Sequence, residues 1–290
     1  VPFQSFFGTS FEYVHRIGHH AVPLPAKTPQ QGTLKLDAPY REYFILEDGD
    51  AKETILSMRF NADILVRHGI QFTFRNMRHS ATQRLVNHYL MADGSKIQDQ
   101  PGYETMTYNQ QFQNRDPRMA QTLMAPGYVD LNGIDEVIED CKSYDMTGYR
   151  FIKFVSDDTH NGATTSTTDW PVFRYPEILL TYAEAKAELG EFSETVWNAT
   201  IKLLRERAGV DGAMPSAYDP YMAEYFLNTT TDMAILEIRR ERGIELLLEN
   251  CRWDDDMRWH MGLLAGEVIA LVMVKCPFNY VYVFVILVRP

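Results

Sequence analysis

The stretch FRYPEILLTYAEAKAELGEFSETVWNATIKLLRERAG, Phe173 to Gly209, decides the fold. Ile178, Tyr182, Ala185 and Leu189 recur every three or four residues, the spacing of one helix face, and Gly190 follows as a stop. A second helix runs from Ser193, which can cap it. Trp197, Ile201, Leu204 and Ala208 form the matching stripe, Arg205 and Arg207 suit the negative end, and Gly209 closes it. The small Ala183, Ala185 and Ala187 let the two helices approach closely. Turn and length fit one helical-hairpin repeat of tetratricopeptide type, about 34 residues. One such unit cannot bury both its faces, so neighbouring helices are required.

A third helix is predicted from Asp232, its cap, to Asn250, with Ile235, Ile238, Ile244, Leu247 and Leu248 packing on the hairpin. It runs into RRERGIELLLENCRWDDDMRW, Arg239 to Trp259, which holds eleven charged residues and two tryptophans. Over Arg239 to Arg242 no helical face is free of charge, so at least one of these side chains approaches the core and needs a partner. Glu237 with Arg240, Arg242 with Glu245, and Glu249 with Arg252 stand at pairing distance along a helix. Asp254, Asp255 and Asp256 are consecutive and point in different directions, whereas glycoside hydrolysis needs two carboxyl groups about 5 to 9 Å apart across a cleft. An ion-paired scaffold is therefore preferred to catalysis. No nucleophile elbow, P-loop, HExxH or dinucleotide fingerprint occurs, and no cofactor is implied.

The remaining sequence is uneven. From Val1 to about residue 50 the chain is rich in Pro, His and Gly without a period, and reads as an irregular segment. His15 and His19 are four apart, but Gly18, Pro23 and Pro25 oppose a helix there and no acidic or Cys ligand completes a metal set. AKETILSMRF, from Ala51, reads as a short strand, and ATQRLVNHYLMADG, from Ala81, as a helix closed by Asp93 and Gly94. A polar, aromatic loop follows, leaving at Asp116-Pro117. The tail from residue 263 to 290 is long and apolar, but its mid-run Lys275 and Pro277 and its Val, Tyr and Phe content favour strand over a membrane-spanning helix.

Bulk composition narrows function. With 290 residues and 45% hydrophobic content the chain can build a real core, and a net charge of -11 repels nucleic acid and anionic membrane surfaces while favouring neutral or cationic ligands. Cys141, Cys251 and Cys276 show no CxxC spacing, so neither a disulfide framework nor a zinc site is indicated. The start carries no initiator Met, basic region or apolar export core, so an export signal is missing or already removed.

Four motifs in order resemble the SusD/RagB family: ATQRLVNHYLMADG with NRDPR in its central region, then FRYPEILLTYAEAKAELGEF, RERAG and AILEIRRERGIELLLENCRWDDDMRW in its C-terminal half. The likeness covers about Ala51 to Gly262, so that the segments before and after look unlike the family, and the family's N-terminal half, with its lipidated Cys, has no counterpart here. The resemblance implies a mainly α fold: a helical scaffold with tetratricopeptide-type pairs at 173–209 and 232–250, irregular loops and a few short strands. It also implies a non-enzymatic, lipid-anchored protein of the outer-membrane surface. Such a protein captures oligosaccharide or polysaccharide and delivers it to a SusC-like TonB-dependent transporter. Some members take peptides, the second reading; a glycoside hydrolase is a distant third.

Family binding residues have no fixed motif, so candidates come from chemistry. A sugar offers apolar C–H faces and hydroxyls, which calls for aromatic platforms flanked by amide and guanidinium groups on exposed loops. Three segments offer them: RHGIQFTFRNMRHS with Phe74 and Arg75, the Tyr103 to Arg115 loop with Tyr108 and Asn109, and SDDTHNGATTSTTDW ending in Trp170. Trp170 leads, because it follows a Thr, Ser, Asp and Gly-rich run that a core is not expected to absorb.

Overall fold

The computed structural model describes residues 40–47, 53–63, 65–76, 79–129, 147–156 and 158–261, and the backbone of 269–276 and 279–286. His15 and His19 lie outside them. The described residues form ten α-helices and three two-stranded sheets, the mainly α fold expected from the sequence. The chain divides into two compact units, Val1–Met214 and Pro215–Pro290.

In the first unit, the strand expected near residue 51 is β1 (Thr54–Met58). Helices α1 (Ile70–Asn76) and α2 (Gln83–Val86) follow, with β2 (Ser80–Ala81) between them. The helix predicted to reach Asp93 therefore stops after one turn. The reason is Arg115, buried, whose guanidinium donates to the carbonyls of Val86 (2.7 Å) and Tyr89 (2.8 Å) and satisfies the helix end from outside. Asp93 and Gly94 do form a turn: the Asp93 carboxylate takes the Ser95 amide at 2.9 Å, and Gly94 has φ +80°.

Helices α3 (Tyr108–Gln111) and α4 (Pro117–Thr122) punctuate the polar loop, and Asp116 caps α4 as its exit was read, accepting from the Arg118 amide at 2.9 Å. Strand β3 (Tyr149–Arg150) pairs antiparallel with β2, and β4 (Trp170–Arg174) pairs antiparallel with β1. Between these strands a core of Tyr40, Phe44 and Phe154 encloses Lys153. Its ammonium sits 4.0 Å from the Phe44 ring centre and donates to the Tyr40 hydroxyl at 2.7 Å, which compensates a charge with no access to water.

The decisive stretch folds as a hairpin. Helix α5 (Tyr175–Glu188) packs on α6 (Glu194–Ala199) and α7 (Ile201–Ala208); Ser193 caps α6 through the Val196 amide, and Gly190 and Gly209 leave with φ +69° and +81°. Two details differ from the sequence reading. The buried face of α5 runs through Pro176, Leu179, Leu180, Ala183 and Ala187, one residue round from the predicted stripe, and Leu189 is 52% exposed. Ala183 and Ala187, four apart, give the flat strip against which larger side chains pack, so the small residues rather than Ile178 and Tyr182 set the face. The second helix is also broken. Thr200 (φ −132°, ψ −90°) bonds its hydroxyl to the Val196 carbonyl at 2.7 Å, a back-bond that bends helices.

The second unit opens with α8 (Pro220–Tyr225), capped by Asp219, and α9 (Met233–Glu245), capped by Asp232 through the Ile235 amide. Helix α9 ends at Glu245, short of Asn250, because Leu248 and Asn250 turn into left-handed conformations (φ +65° and +69°). That turn starts α10 (Arg252–Arg258) and presents Asp255 to Arg242. All four residues from Arg239 to Arg242 are buried. Glu237 pairs with Arg240 at 3.2 Å as helical spacing predicts, whereas Arg242 finds Asp255 at 2.7 Å, thirteen residues on. Arg239 and Arg258 each stand 4.8 Å from the ring of the buried Trp259. In the tail, β5 (Ile269–Cys276) and β6 (Asn279–Ile286) pair antiparallel in unbroken register, so the apolar run is strand. Among the described residues no helix is long and apolar enough to cross a membrane.

Candidate ligand-binding face

Trp170 is half-buried and opens β4 opposite Met58, rather than standing free on a loop. Its ring stacks on Phe154 (4.8 Å, 27° between planes), and Phe154 stacks in turn on Phe74 (5.5 Å, 29°). Two predicted site residues are thus brought into one column by Phe154, which the sequence reading did not single out. Its signal was the apolar run RFIKFV, Arg150 to Val155, beside a strand.

The premise that no core absorbs the run before Trp170 is corrected: Ser166, Thr167, Thr168 and Asp169 are all buried. Hydrogen bonds make this possible. Ser166 and His68 exchange backbone bonds of 2.9 and 3.0 Å, the Asp169 amide donates to the Leu46 carbonyl at 2.8 Å, and the Asp169 carboxylate takes the Phe60 amide at 3.1 Å. Gly69 permits the approach, since a Cβ there would lie 2.1 Å from the Ala163 carbonyl oxygen. His68 is fixed as one neutral tautomer: Nε2 bonds the Thr168 carbonyl at 2.7 Å and Nδ1 accepts the Ile70 amide at 3.2 Å. Burial holds its pKa below the usual histidine value, with the nearby His160 adding to the depression and the Thr168 carbonyl opposing it.

A polar rim that the sequence reading missed lies along the same segment. Glu47 accepts from the Thr167 hydroxyl and bonds His160 Nε2, each at 2.7 Å, and the Asn76 amide donates to Asn161 at 2.9 Å. These residues belong to three segments far apart in sequence, and no local motif links the three.

The other candidates form a second group. Tyr108 begins α3, where Thr107 and Gln110 make a capping box, and its hydroxyl donates to the Met124 carbonyl. Its ring leans on Phe112 (5.0 Å) and Tyr149 (5.5 Å), so much of it serves packing. Asn109 next to it is exposed, and Tyr103, half-buried, opens a short 3-10 turn after Gly102. Arg75 offers its carbonyl to the Arg150 guanidinium. Segment 149–154 runs between the two groups, touching Tyr108 through Tyr149 and Phe74 through Phe151 (6.3 Å) and Phe154.

Two of the three carboxylates of the opposing reading are shown in ion pairs. Asp255 takes Arg242 and, at 2.9 Å, Arg258; Asp256 pairs with Arg252 at 2.9 Å, and burial raises its pKa against the pull of that arginine. Among the described residues no group of three or more His, Cys, Asp or Glu side chains is placed to hold a metal ion.

The pattern of the SusD family matches residues 75–282, beginning later than the resemblance read from the sequence and running past Gly262 into the tail. Solved structures of the same fold include a SusD-like carbohydrate binding protein from Bacteroides fragilis NCTC 9343, 22% identical, with a TM-score of 0.56 over 77% of this chain and 45% of that one. A second SusD-like protein from the same organism is 24% identical, with a TM-score of 0.54 over 77% and 46%. A SusD superfamily protein from Bacteroides vulgatus ATCC 8482 is 18% identical, with a TM-score of 0.54 over 88% and 50%. The chain spans about half the length of these structures, covering 45% to 50% of each. No curated protein matches it. With the helical scaffold in place and most of its length under the family pattern, the chain belongs to the SusD family.

Proposed function

We propose that the protein binds glycans without transforming them, and that in the cell it captures oligosaccharide or polysaccharide at the outer-membrane surface for a SusC-like TonB-dependent transporter. Family membership supports this reading, as does a fold shared with a carbohydrate binding protein. The observation that carries it is Trp170: a half-buried indole backed on one side by Phe154, in a segment whose neighbours present hydroxyl, imidazole, carboxylate and amide groups. A sugar ring stacks its C–H face on such an indole while its hydroxyls meet the polar rim. Phe74 supports the column from beneath, and Tyr103, Tyr108, Asn109 and Arg75 extend the proposed face. The paired Asp255 and Asp256 suit a scaffold better than an acid and base.

Calorimetric titration against a glycan panel and a peptide panel tests this. Trp170→Ala should lose about 1 to 3 kcal/mol with the best glycan, as loss of a stacking ring does elsewhere. Trp170→Phe, which keeps the contact with Phe154, should retain most of the affinity and controls for folding. Binding confined to peptides, or release of shortened sugars, would overturn the glycan-binding reading.

A further inference from the structure

The turn from Asp158 to Ser166 leads into Trp170 and is held by contacts of two kinds. Most are neutral and insensitive to pH: the backbone exchange between Ser166 and His68, the Asn76 to Asn161 amide bond, and the seating of Ala163 on Gly69. One is ionisable. His160, whose side chain is 17% exposed, ends a short 3-10 turn and bonds Glu47 at 2.7 Å through Nε2, while its Nδ1 lies 3.0 Å from the Thr159 hydroxyl.

The wiring around His160 accommodates either protonation state. A neutral imidazole donates to Glu47 from Nε2 and accepts the Thr159 hydroxyl proton at Nδ1. A charged imidazolium donates from both nitrogens, and the Thr159 hydroxyl turns to accept. The contacts survive in both states; only the charge against the Glu47 carboxylate changes. Glu47 is further oriented by the Thr167 hydroxyl at 2.7 Å, so its carboxylate stays aimed at the ring.

Other ionisable groups stand on the same turn and on the elements next to it. Asp158 opens the same turn. From the preceding loop His68 faces it, but the Ile70 amide occupies Nδ1 of His68 and opposes a second proton there. Asp169, at the start of β4, is buried and approached by Arg59 at 4.0 Å.

We propose that His160 is a proton-operated latch: charged, it pins the 158–166 turn to Glu47, and on losing its proton it loosens the turn that leads to Trp170. The latch rests on these contacts and not on which ligand Trp170 meets.

Hydrogen exchange measured by mass spectrometry on peptides spanning 158–168, at about pH 5.5 and about pH 8 on either side of histidine titration, tests the latch after correction for intrinsic exchange. The parent should be about two- to fivefold better protected on the acid side, the range of an exposed ion pair. Glu47→Gln, which keeps a hydrogen-bond acceptor but not the charge, and His160→Gln should each abolish the difference. His68→Gln should preserve it. A parent with equal corrected protection at both pH values, or a Glu47→Gln variant that keeps the difference, would overturn the proposal. A difference lost in His68→Gln and kept in His160→Gln would do so too, moving the switch to His68.

Discussion

Asp219 and Arg240 lie twenty-one residues apart, and one carboxylate serves both the helix it caps and the arginine it neutralises. One Asp219 oxygen accepts the Tyr221 and Met222 amides at 2.9 and 3.1 Å, capping α8; the other takes the Arg240 guanidinium, itself held by Glu237 at 3.2 Å. Arg240 is 1% exposed and its neighbour Glu241 is fully buried. Removing one member of such a network strands a desolvated charge, so Arg240→Ala should cost about 3 to 5 kcal/mol, and Glu241→Ala, at a fully buried carboxylate on the same helix, should cost about as much. Urea unfolding of both variants checks this; midpoints matching the parent would show the network to be energetically idle.

Gly69→Ala puts a methyl group where the Ala163 backbone already stands, 2.1 Å from its oxygen. Backbone cannot swing aside as a side chain can, so the cost should be about 1 to 3 kcal/mol, as for overpacking a core. Thermal unfolding measures it. Gly127→Ala, where nothing lies within 4 Å but φ is +77°, separates steric from conformational strain.

His68 predicts the direction of a pH effect. Its folded-state pKa lies below the ordinary 6.5, so the unfolded chain binds the proton more readily. The contribution is fully present above pH 6.5 and is lost as the pH falls from there through the folded-state value. The stability difference between parent and His68→Gln, followed from neutral to acid pH, should therefore shrink on acidification. A difference that grows would contradict the tautomer assigned to the ring.

Two helix caps offer a cleaner test of local physics. Ser193 holds the Val196 amide and Asp232 holds the Ile235 amide at 3.0 Å. Ser193→Ala and Asp232→Ala should each destabilise by about 1 kcal/mol, and their effects should add in the double variant because the sites share no partner. Chemical denaturation of the three variants reads both quantities.

The caps were legible because capping is local: Ser193, Asp232, Gly190 and Gly209 act within a few residues of themselves. The face of α5 was misjudged by one residue because periodicity ranks Ile178 and Tyr182 by size, whereas packing favoured the flat strip of Ala183 and Ala187. Pairing along α9 was visible for Glu237 and Arg240, but not the reach of Arg242 to Asp255 on the next helix. The candidate face was legible only as a set of aromatic positions. Phe154, which joins Phe74 to Trp170, and Glu47, which meets His160 and Thr167, come from distant segments whose meeting depends on the whole fold. Polarity misled where Ser166 to Asp169 entered the interior, because a run of hydroxyls tolerates burial once backbone partners arrive.

The reach of Arg115 has a consequence for the order in which the chain assembles. The carbonyls it satisfies belong to Val86, twenty-nine residues earlier, and to Tyr89, twenty-six earlier. A single helical turn is too short to persist alone, so α2 is not an early, locally nucleated element. It waits for a loop to close, and closing a loop before its contacts form slows folding. Substituting Arg115 should therefore retard refolding as well as speed unfolding, making this guanidinium a clock for the first unit as much as a brace.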